Sequence, residues 1–164
     1  MNNIRNSTLV FLVRRDGETG EVTEVCLAMK KRGFGVGRWN GSGGKCEPNE
    51  LVEDAARRET EEEILVTPCE LVKSAELEFR FPHQSDWDQL VTVFLVSDWE
   101  GEPGESEEMS PKWFDVSDIP FDDMWPDDPY WLPRVLAGET LRARFVFAEG
   151  DEVAEQDIRV VSNL

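Results

Sequence analysis

The segment RRETEEEI, residues 57–64, gathers carboxylates at spacings that a helix brings together. Residues three and four positions apart share a helix face, so Glu59 lies one turn before Glu62 and Glu63 on that face. Glu61 points elsewhere. Like charges at this spacing repel each other, whereas oxygen ligands of this kind suit hard cations such as Mg²⁺ or Mn²⁺ that bridge to phosphate groups. The alternative interpretation is an ordinary solvated acidic face.

A second pair of carboxylates, Asp127 and Asp128, stands in WPDDPYW, between aromatic rings and two prolines. If both carboxyls face one ligand, repulsion and desolvation raise the pKa of one of them and leave an acid that donates a hydrogen bond. Two alternatives stay open. Either aspartate could cap a helix beginning near Pro129, and the aromatic residues could simply belong to the core.

A glycine-rich loop precedes the acidic segment. Six of the 12 glycines fall between Gly33 and Gly44, which predicts close backbone approach or dihedrals that side chains forbid. Lys45 follows the loop and could contact a phosphate. The helix is predicted to begin at Pro48, with Asn49 as N-cap, and to end near Val66 before a proline. Its acidic face then borders a groove beside the loop.

The remaining elements follow from hydrophobic alternation and turn residues. Strands are predicted over residues 8–15, 22–31, 70–81 and 88–98, a short strand over 112–116, and a final hairpin over 141–161. A helical turn over 119–124 and a helix over 129–137 lie near the C-terminus. Strands on both sides of one central helix predict an α/β sandwich with a mixed sheet, in a single domain over residues 1–164.

Composition narrows the classes of partner. The formal charge of −18 disfavours nucleic acid and anionic membranes, and a phosphorylated small molecule fits only if metal ions bridge it to the protein. The apolar run TLVFLV near the N-terminus is too short for a signal-peptide core or a membrane span. Three cysteines without C-x-x-C spacing indicate a reducing cytoplasm. The lone histidine, His83, is interpreted as a surface turn residue.

From Gly44 the chain runs GKCEPNELVEDAARRETEEEILV. Gly44, Glu50, the pair Arg58-Glu59 and the pair Glu62-Glu63 resemble, at their spacing, the box of the Nudix hydrolase superfamily. The resemblance covers residues 44–66 and implies an α/β/α sandwich with a loop–helix–loop motif. Glutamates 59, 62 and 63 would bind Mg²⁺, or Mn²⁺, and one of them would polarise the attacking water. Arg58 would restrain a glutamate, and Glu50 would support the site.

Two positions of the box depart from the family pattern. Thr60 replaces an aliphatic residue, and Leu65 replaces the glycine that normally ends the helix. Because a left-handed C-cap is unfavourable for leucine, the helix exit is expected to differ from the family's. Neither residue is an expected metal ligand.

Segments outside the box, MKKRGFGVGRWNGSGGK and SEEMSPKWF to DDPYW, resemble the branch of the family that hydrolyses oxidised purine nucleoside triphosphates. The resemblance assigns roles to residues that share no local motif. The expected base contacts are Asn40, Asp127 and Asp128, with Trp125 and Phe34 flanking the ring. The expected pocket and phosphate contacts are Thr8, Lys30, Ser42, Gly44, Lys45 and Phe79. The expected further metal ligands are the carbonyl of Gly43 and the carboxylate of Glu108.

The resemblance predicts a cytoplasmic monomer that cleaves such nucleotides to monophosphate and pyrophosphate. A carboxyl pair that exchanges donor and acceptor roles could accept oxidised guanine or oxidised adenine. Gln89 falls where the family has an apolar methionine, which leaves the base preference open. The same chemistry on another nucleotide, such as a methylated purine, is the first alternative. A non-catalytic nucleotide-binding module is the second.

Overall fold

The computed structural model describes residues 4–164 of the chain. Within that range the strands are β1 (Arg5–Arg15), β2 (Val22–Lys30), β3 (Trp39–Asn40), β4 (Thr67–Pro68), β5 (Val72–Arg80), β6 (Gln89–Val96), β7 (Trp99–Glu100), β8 (Met109–Asp115), β9 (Leu141–Ala148) and β10 (Glu152–Val160). The α-helices are α1 (Val52–Ile64) and α2 (Asp128–Leu136). Single 3-10 turns cover Ser85–Trp87 and Phe121–Asp123. No helix in the described part of the chain is long and apolar enough to cross a membrane.

The main sheet is mixed, as the sequence predicted. Its strand order is β10-β9-β5-β6-β1-β2-β3, with β8 pairing to β2. The β1–β6 and β5–β9 pairs are parallel, and the other pairs in the sheet are antiparallel. Short strands β4 and β7 form a separate pair, which the sequence did not predict.

The alternation of β1 explains why the sheet is covered on both faces. Phe11 and Val13 pack with Trp131 of α2, whereas Val10 and Leu12 pack with Ala56 of α1. Because successive strand residues point to opposite faces, a strand that is apolar at every position is buried between two helices. The expected α/β/α sandwich is therefore confirmed, and both helices lie against the same central strands.

The predicted start of the first helix is wrong. The helix begins at Val52, not at Pro48, and Leu51 occupies the N-cap position without a side-chain cap. Asn49 has φ 65°, and the backbone N–H of Glu50 donates to the carbonyl of Glu47 at 3.0 Å. Pro48 and Asn49 thus form the centre of a turn, since proline followed by a residue with positive φ favours a type II turn.

The helix ends at Ile64, two residues earlier than predicted, and Leu65 takes the left-handed conformation that was expected to be avoided. Its φ and ψ are 66° and 25°, and its N–H donates to the carbonyl of Glu61 at 3.2 Å. The backbone N–H of Gly104 in turn donates to the carbonyl of Ile64 at 2.9 Å. The helix therefore ends in a left-handed residue although a leucine, not a glycine, stands at this exit.

Candidate active site

A cavity of about 250 Å³ opens beside the start of β1, between the glycine loop and the segment that leads into α2. Expected site residues that line it are Thr8, Lys30, Phe34, Asn40, Gly43, Gly44, Lys45, Glu63, Phe79, Trp125, Asp127 and Asp128. Asn40 and the two aspartates are nearly ninety positions apart in sequence and meet only in this cavity. Gln89 also lines it, so a polar side chain stands in the wall.

Arg58 organises the carboxylates at one end of the site. Its Nε and Nη2 donate to the two oxygens of Glu50 at 2.9 Å each, and its Nη1 donates to Glu59 Oε1 at 2.8 Å. The bidentate pair lowers the pKa of Glu50 to about 2. Glu62 lies 3.8 Å from Arg58 Nη1. The arginine therefore restrains Glu50 and Glu59 by hydrogen bonds, and it attracts Glu62 by charge at a longer distance.

Glu63 is the buried member of the acidic set, 2% exposed. The backbone N–H of Gly43 donates to its Oε1 at 2.9 Å, and burial raises the pKa of Glu63 to about 7. Burial also raises the pKa of Glu59. A Cβ at Gly44 would lie 2.6 Å from the carboxyl carbon of Glu59, so only glycine permits this approach. The two glycines thus place backbone against two of the carboxylates.

Glu62 and Glu108, the two less buried carboxylates of the expected metal site, lie near basic side chains in this structure. Glu62 is exposed, and Glu108 lies 3.9 Å from Lys30 and 3.4 Å from Arg32. Among residues 4–164, no three acidic, histidine or cysteine side chains are clustered in metal-binding geometry. The donor set nevertheless fits a hard divalent cation. It is all oxygen, and the pKa of Glu63 is raised mainly by burial and further by the charges of Glu59 and Glu108, a repulsion that a bound cation relieves.

Ser42 does not line the cavity, contrary to the expected substrate contact. Its hydroxyl is buried and lies 3.2 Å from the hydroxyl of Thr60. This pairing explains the atypical threonine of the box, because a buried hydroxyl needs a hydrogen-bonding partner and Ser42 supplies one. Glu61 accepts a hydrogen bond from Thr67 Oγ1 at 2.8 Å and stays at the surface.

The two aspartates at the other end of the cavity are buried, at 3% and 2% exposure. Asp127 Oδ2 accepts a hydrogen bond from the indole N–H of Trp131 at 2.7 Å, whereas Asp128 Oδ2 has no partner in the part of the chain that the structure describes. Burial raises the pKa of Asp127 to about 6, and burial together with the charge of Asp127 raises the pKa of Asp128 well above its usual value. Asp127 stands at the N-cap position of α2 without a side-chain cap bond, so the capping interpretation is wrong.

The expected flanking of a base by Phe34 and Trp125 does not match their arrangement. Their ring centroids are 4.9 Å apart, so the two rings contact each other and leave no gap for a base between them. Trp131 is fully buried and is a core residue, as the alternative interpretation held, although its N–H also bonds Asp127. Tyr130 is exposed.

Several residues of the cavity wall were not anticipated. Phe81 and Phe147 stack at 4.9 Å, and Met109 and Val91 also line the cavity. The guanidinium of Arg38 lies 4.1 Å above the ring of Trp125. Phe81 directly follows β5, whose parallel pairing with β9 sets Arg80 opposite Val146 and so brings Phe81 beside Phe147. Nothing local in the sequence indicated Arg38.

A mixed sheet lies between α1 and α2, and the glycine loop leads into the acidic helix α1. This arrangement defines the class of fold. A comparison with protein families matches residues 4–135 to the NUDIX domain. The chain belongs to this family.

Among curated proteins, the chain is 43% identical over 140 residues to the oxidized purine nucleoside triphosphate hydrolase of Danio rerio, covering 85% of this chain and 89% of that protein. It is 42% identical over 142 residues to the protein of that name from Mus musculus, covering 85% and 88%.

Solved structures agree on the fold. A MutT protein from Bacillus halodurans superposes with a TM-score of 0.76 over 94% of this chain and 97% of its own, at 19% identity. A MutT NUDIX hydrolase from Burkholderia pseudomallei superposes with a TM-score of 0.61 over 72% and 88%, at 26% identity.

Proposed function

We propose that the protein hydrolyses oxidised purine nucleoside triphosphates to the monophosphate and pyrophosphate. The observation that carries the proposal is one cavity with two unlike carboxylate groups, Glu63 of the acidic helix at one end and the buried Asp127–Asp128 pair at the other. The first group suits a polyphosphate with its cation, and the second suits the edge of a neutral base. The names of the two animal relatives support the same substrate class.

Nudix hydrolases generally use a divalent metal, and Mg²⁺ is the ion we propose here. Glu59, Glu62 and Glu63 would hold it, with the Gly43 carbonyl and Glu108 as further ligands. When bound, such an ion neutralises the triphosphate and stabilises the charge that develops on the leaving oxygen. The strong negative charge of the protein is then compatible with an anionic substrate.

The chain's own groups carry the other steps. Lys30 and Lys45 line the cavity and would bind phosphate oxygens. Water adds to a phosphorus at the α–β bridge, one of the three glutamates takes its proton, and the bridging P–O bond breaks to release pyrophosphate. Arg58 keeps Glu59 in place by a 2.8 Å hydrogen bond during this exchange.

The buried aspartates would read the base. A protonated Asp128 donates a hydrogen bond, Asp127 accepts one, and exchange of their proton lets the pair match either an oxidised guanine or an oxidised adenine. Asn40 offers its amide from the same cavity, although its Oδ1 accepts from the N–H of Gly41 at 2.8 Å. A base in this site would stack on the aromatic wall.

A second candidate keeps the chemistry and changes the base. Gln89 lines the cavity where an apolar residue was expected, and its amide adds a donor and an acceptor to the wall. A methylated purine nucleoside triphosphate is then the alternative to an oxidised one as the preferred substrate. Hydrolysis of 8-oxo-dGTP, 2-hydroxy-dATP, O6-methyl-dGTP and dGTP, compared by kcat/KM, decides between them. A preference for plain dGTP would overturn the proposal for modified purines.

We further propose one domain over residues 1–164, which acts as a monomer in the cytoplasm. The final hairpin, β9 and β10, extends the same sheet that carries the box, which supports one domain. The acidic surface supports a small-molecule partner over nucleic acid or a membrane surface. Size-exclusion chromatography coupled to light scattering tests the monomer.

A further inference from the structure

We propose that Arg38, tied to Asp151 in the turn between β9 and β10, is a positioning residue that fixes the Trp125 ring in the cavity wall and so sets how strictly the site selects its purine. The selectivity depends on the proposed function. The fixing of the ring depends only on contacts within the chain.

The side chain of Arg38 makes two contacts at once. Its Cζ lies 4.1 Å from the centroid of the Trp125 ring, and its Nη2 lies 3.1 Å from Asp151 Oδ2. Both charged side chains are only 28% exposed, so water screens the pair incompletely. A planar guanidinium can stack on an indole while its edge pairs with a carboxylate, which an ammonium group cannot do.

The backbone of Arg38 places the same residue within the glycine loop, directly before β3. Its N–H donates to the carbonyl of Gly35 at 3.1 Å, and its carbonyl accepts from the N–H of Lys30 at 3.0 Å. A Cβ at Gly35 would lie 3.2 Å from Trp125 Nε1, so the loop rests against the indole at this point. Asn40 follows two positions later. Movement of Arg38 would therefore disturb both the ring and the strand that carries Asn40.

Asp151 holds Arg38 from the turn between β9 and β10. It has φ 61°, in the left-handed region that costs energy for most residues other than glycine. Aspartate tolerates this conformation better than most side chains, and here its carboxylate faces the guanidinium. The charge of Arg38 also lowers the pKa of Asp127 and of Asp128, although burial raises both overall. That influence supports a place for Arg38 beside the base-binding end.

The first arm of the test needs no substrate. The indole N–H signals of the six tryptophans are recorded by NMR on ¹⁵N-labelled protein, and the W125F variant assigns the signal of Trp125. We expect R38Q to shift or broaden that signal. R14Q is the matched control, because Arg14 lies 3.9 Å above Trp113 and 3.5 Å from Glu24, outside the cavity. R14Q should leave the Trp125 signal unchanged.

The second arm measures selectivity. We expect R38Q to raise KM for the preferred modified purine triphosphate about tenfold while kcat stays within about twofold, since a cation–π contact is worth about that factor. The ratio of kcat/KM for the modified purine triphosphate to kcat/KM for dGTP should fall as well. R38K should recover part of the loss, D151N should change KM in the same direction by less, and the double variant should be no worse than R38Q.

An unchanged Trp125 signal in R38Q, or an equal rise in KM in R14Q, would overturn the proposal. Equal losses in kcat for every nucleotide would also overturn it, because they indicate a general structural role. If the wild-type protein hydrolyses none of the modified purines, the proposed function fails, and the NMR arm still decides whether Arg38 fixes the ring.

Discussion

The two ends of the cavity use the same chemical group in opposite environments. At the box end, Arg58 donates to both oxygens of Glu50 and lowers its pKa to about 2. At the base end, no cationic side chain among residues 4–164 bonds Asp127 or Asp128, and burial raises the pKa of both. A carboxylate beside an arginine is a fixed anion, whereas a carboxyl in a dry pocket can hold a proton and donate it to a neutral ligand. The environment of each carboxyl group therefore decides whether it stays ionised or can hold a proton.

Glu63 lies between these cases. It is as buried as the aspartates, yet a backbone N–H at 2.9 Å holds one oxygen and no arginine contacts it among the described residues. A cation bound nearby would favour its ionised form. A bound cation would thus stabilise the ionised form of Glu63 at the acidic end, whereas the buried aspartates at the base end can hold a proton instead.

The largest effect is expected from Glu63→Gln. Glutamine keeps an oxygen for the Gly43 N–H and loses the charge, so hydrolysis should fall about 10³-fold or more while the fold is retained. Steady-state kinetics with the preferred nucleotide and the thermal midpoint measure the two quantities. Glu61→Gln, at an exposed glutamate of the same helix, is the control. Retained activity in Glu63→Gln would mean that the acidic set is assigned wrongly.

A smaller effect is expected from Asp128→Asn at the base end. The amide removes the exchangeable proton, so kcat/KM for modified purines should fall about 10- to 100-fold, the cost of one mismatched buried hydrogen bond. The difference in kcat/KM between modified purine nucleotides and dGTP should become smaller. Asp122→Asn, in the exposed 3-10 turn nearby, is the control variant. A uniform loss on every nucleotide would assign Asp128 to catalysis instead of base selection.

The two ends should also give pH dependences of opposite sign in stability. The pKa of Asp127 is raised from 3.8 to about 6, so its contribution to stability is full below 3.8 and is lost as the pH rises through 6. The pKa of Glu50 is lowered from 4.5 to about 2, so its contribution is present above 4.5 and is lost as the pH falls through 2.

Thermal midpoints from pH 2 to 7 test these signs. Asp127→Asn should become more stable relative to wild type as the pH rises from 4 to 7, by roughly 2–6 °C. Glu50→Gln should lose most of its disadvantage as the pH falls from 4.5 to 2. Parallel curves for wild type and Asp127→Asn would show that Asp127 is ionised at no cost.

The smallest effect is expected from Leu65→Gly at the helix exit. Glycine adopts φ 66° without steric cost, and the exposed leucine side chain contributes little, so unfolding should require about 0.5–1 kcal/mol more free energy. Kinetic constants should not change, because Leu65 does not line the cavity. Chemical denaturation measures the gain, and a loss of stability would show that the Leu65 side chain, which lies beside Gly104, contributes more by packing than its backbone conformation costs.

Local patterns in the sequence were enough to predict a mixed sheet and the presence of both helices. The alternation of β1 and the spacing of Glu59, Glu62 and Glu63 are properties of neighbouring residues, and helix and strand geometry convert them into faces. The helix start was mispredicted because Pro48 and Asn49 suit a turn as well as a cap. In the structure they form the turn, and Glu50 directly after it bonds Arg58 eight positions later.

Only the tertiary structure decided how distant segments meet. It brought Asn40 to the two aspartates, turned Ser42 inward to pair with Thr60, and closed Phe34 onto Trp125. It also placed Arg38 between Trp125 and Asp151, a contact that spans 113 positions. Periodicity and spacing report which face a residue occupies on its own element. The partner on that face depends on how the sheet is ordered, and strand order depends on contacts between segments far apart in the chain.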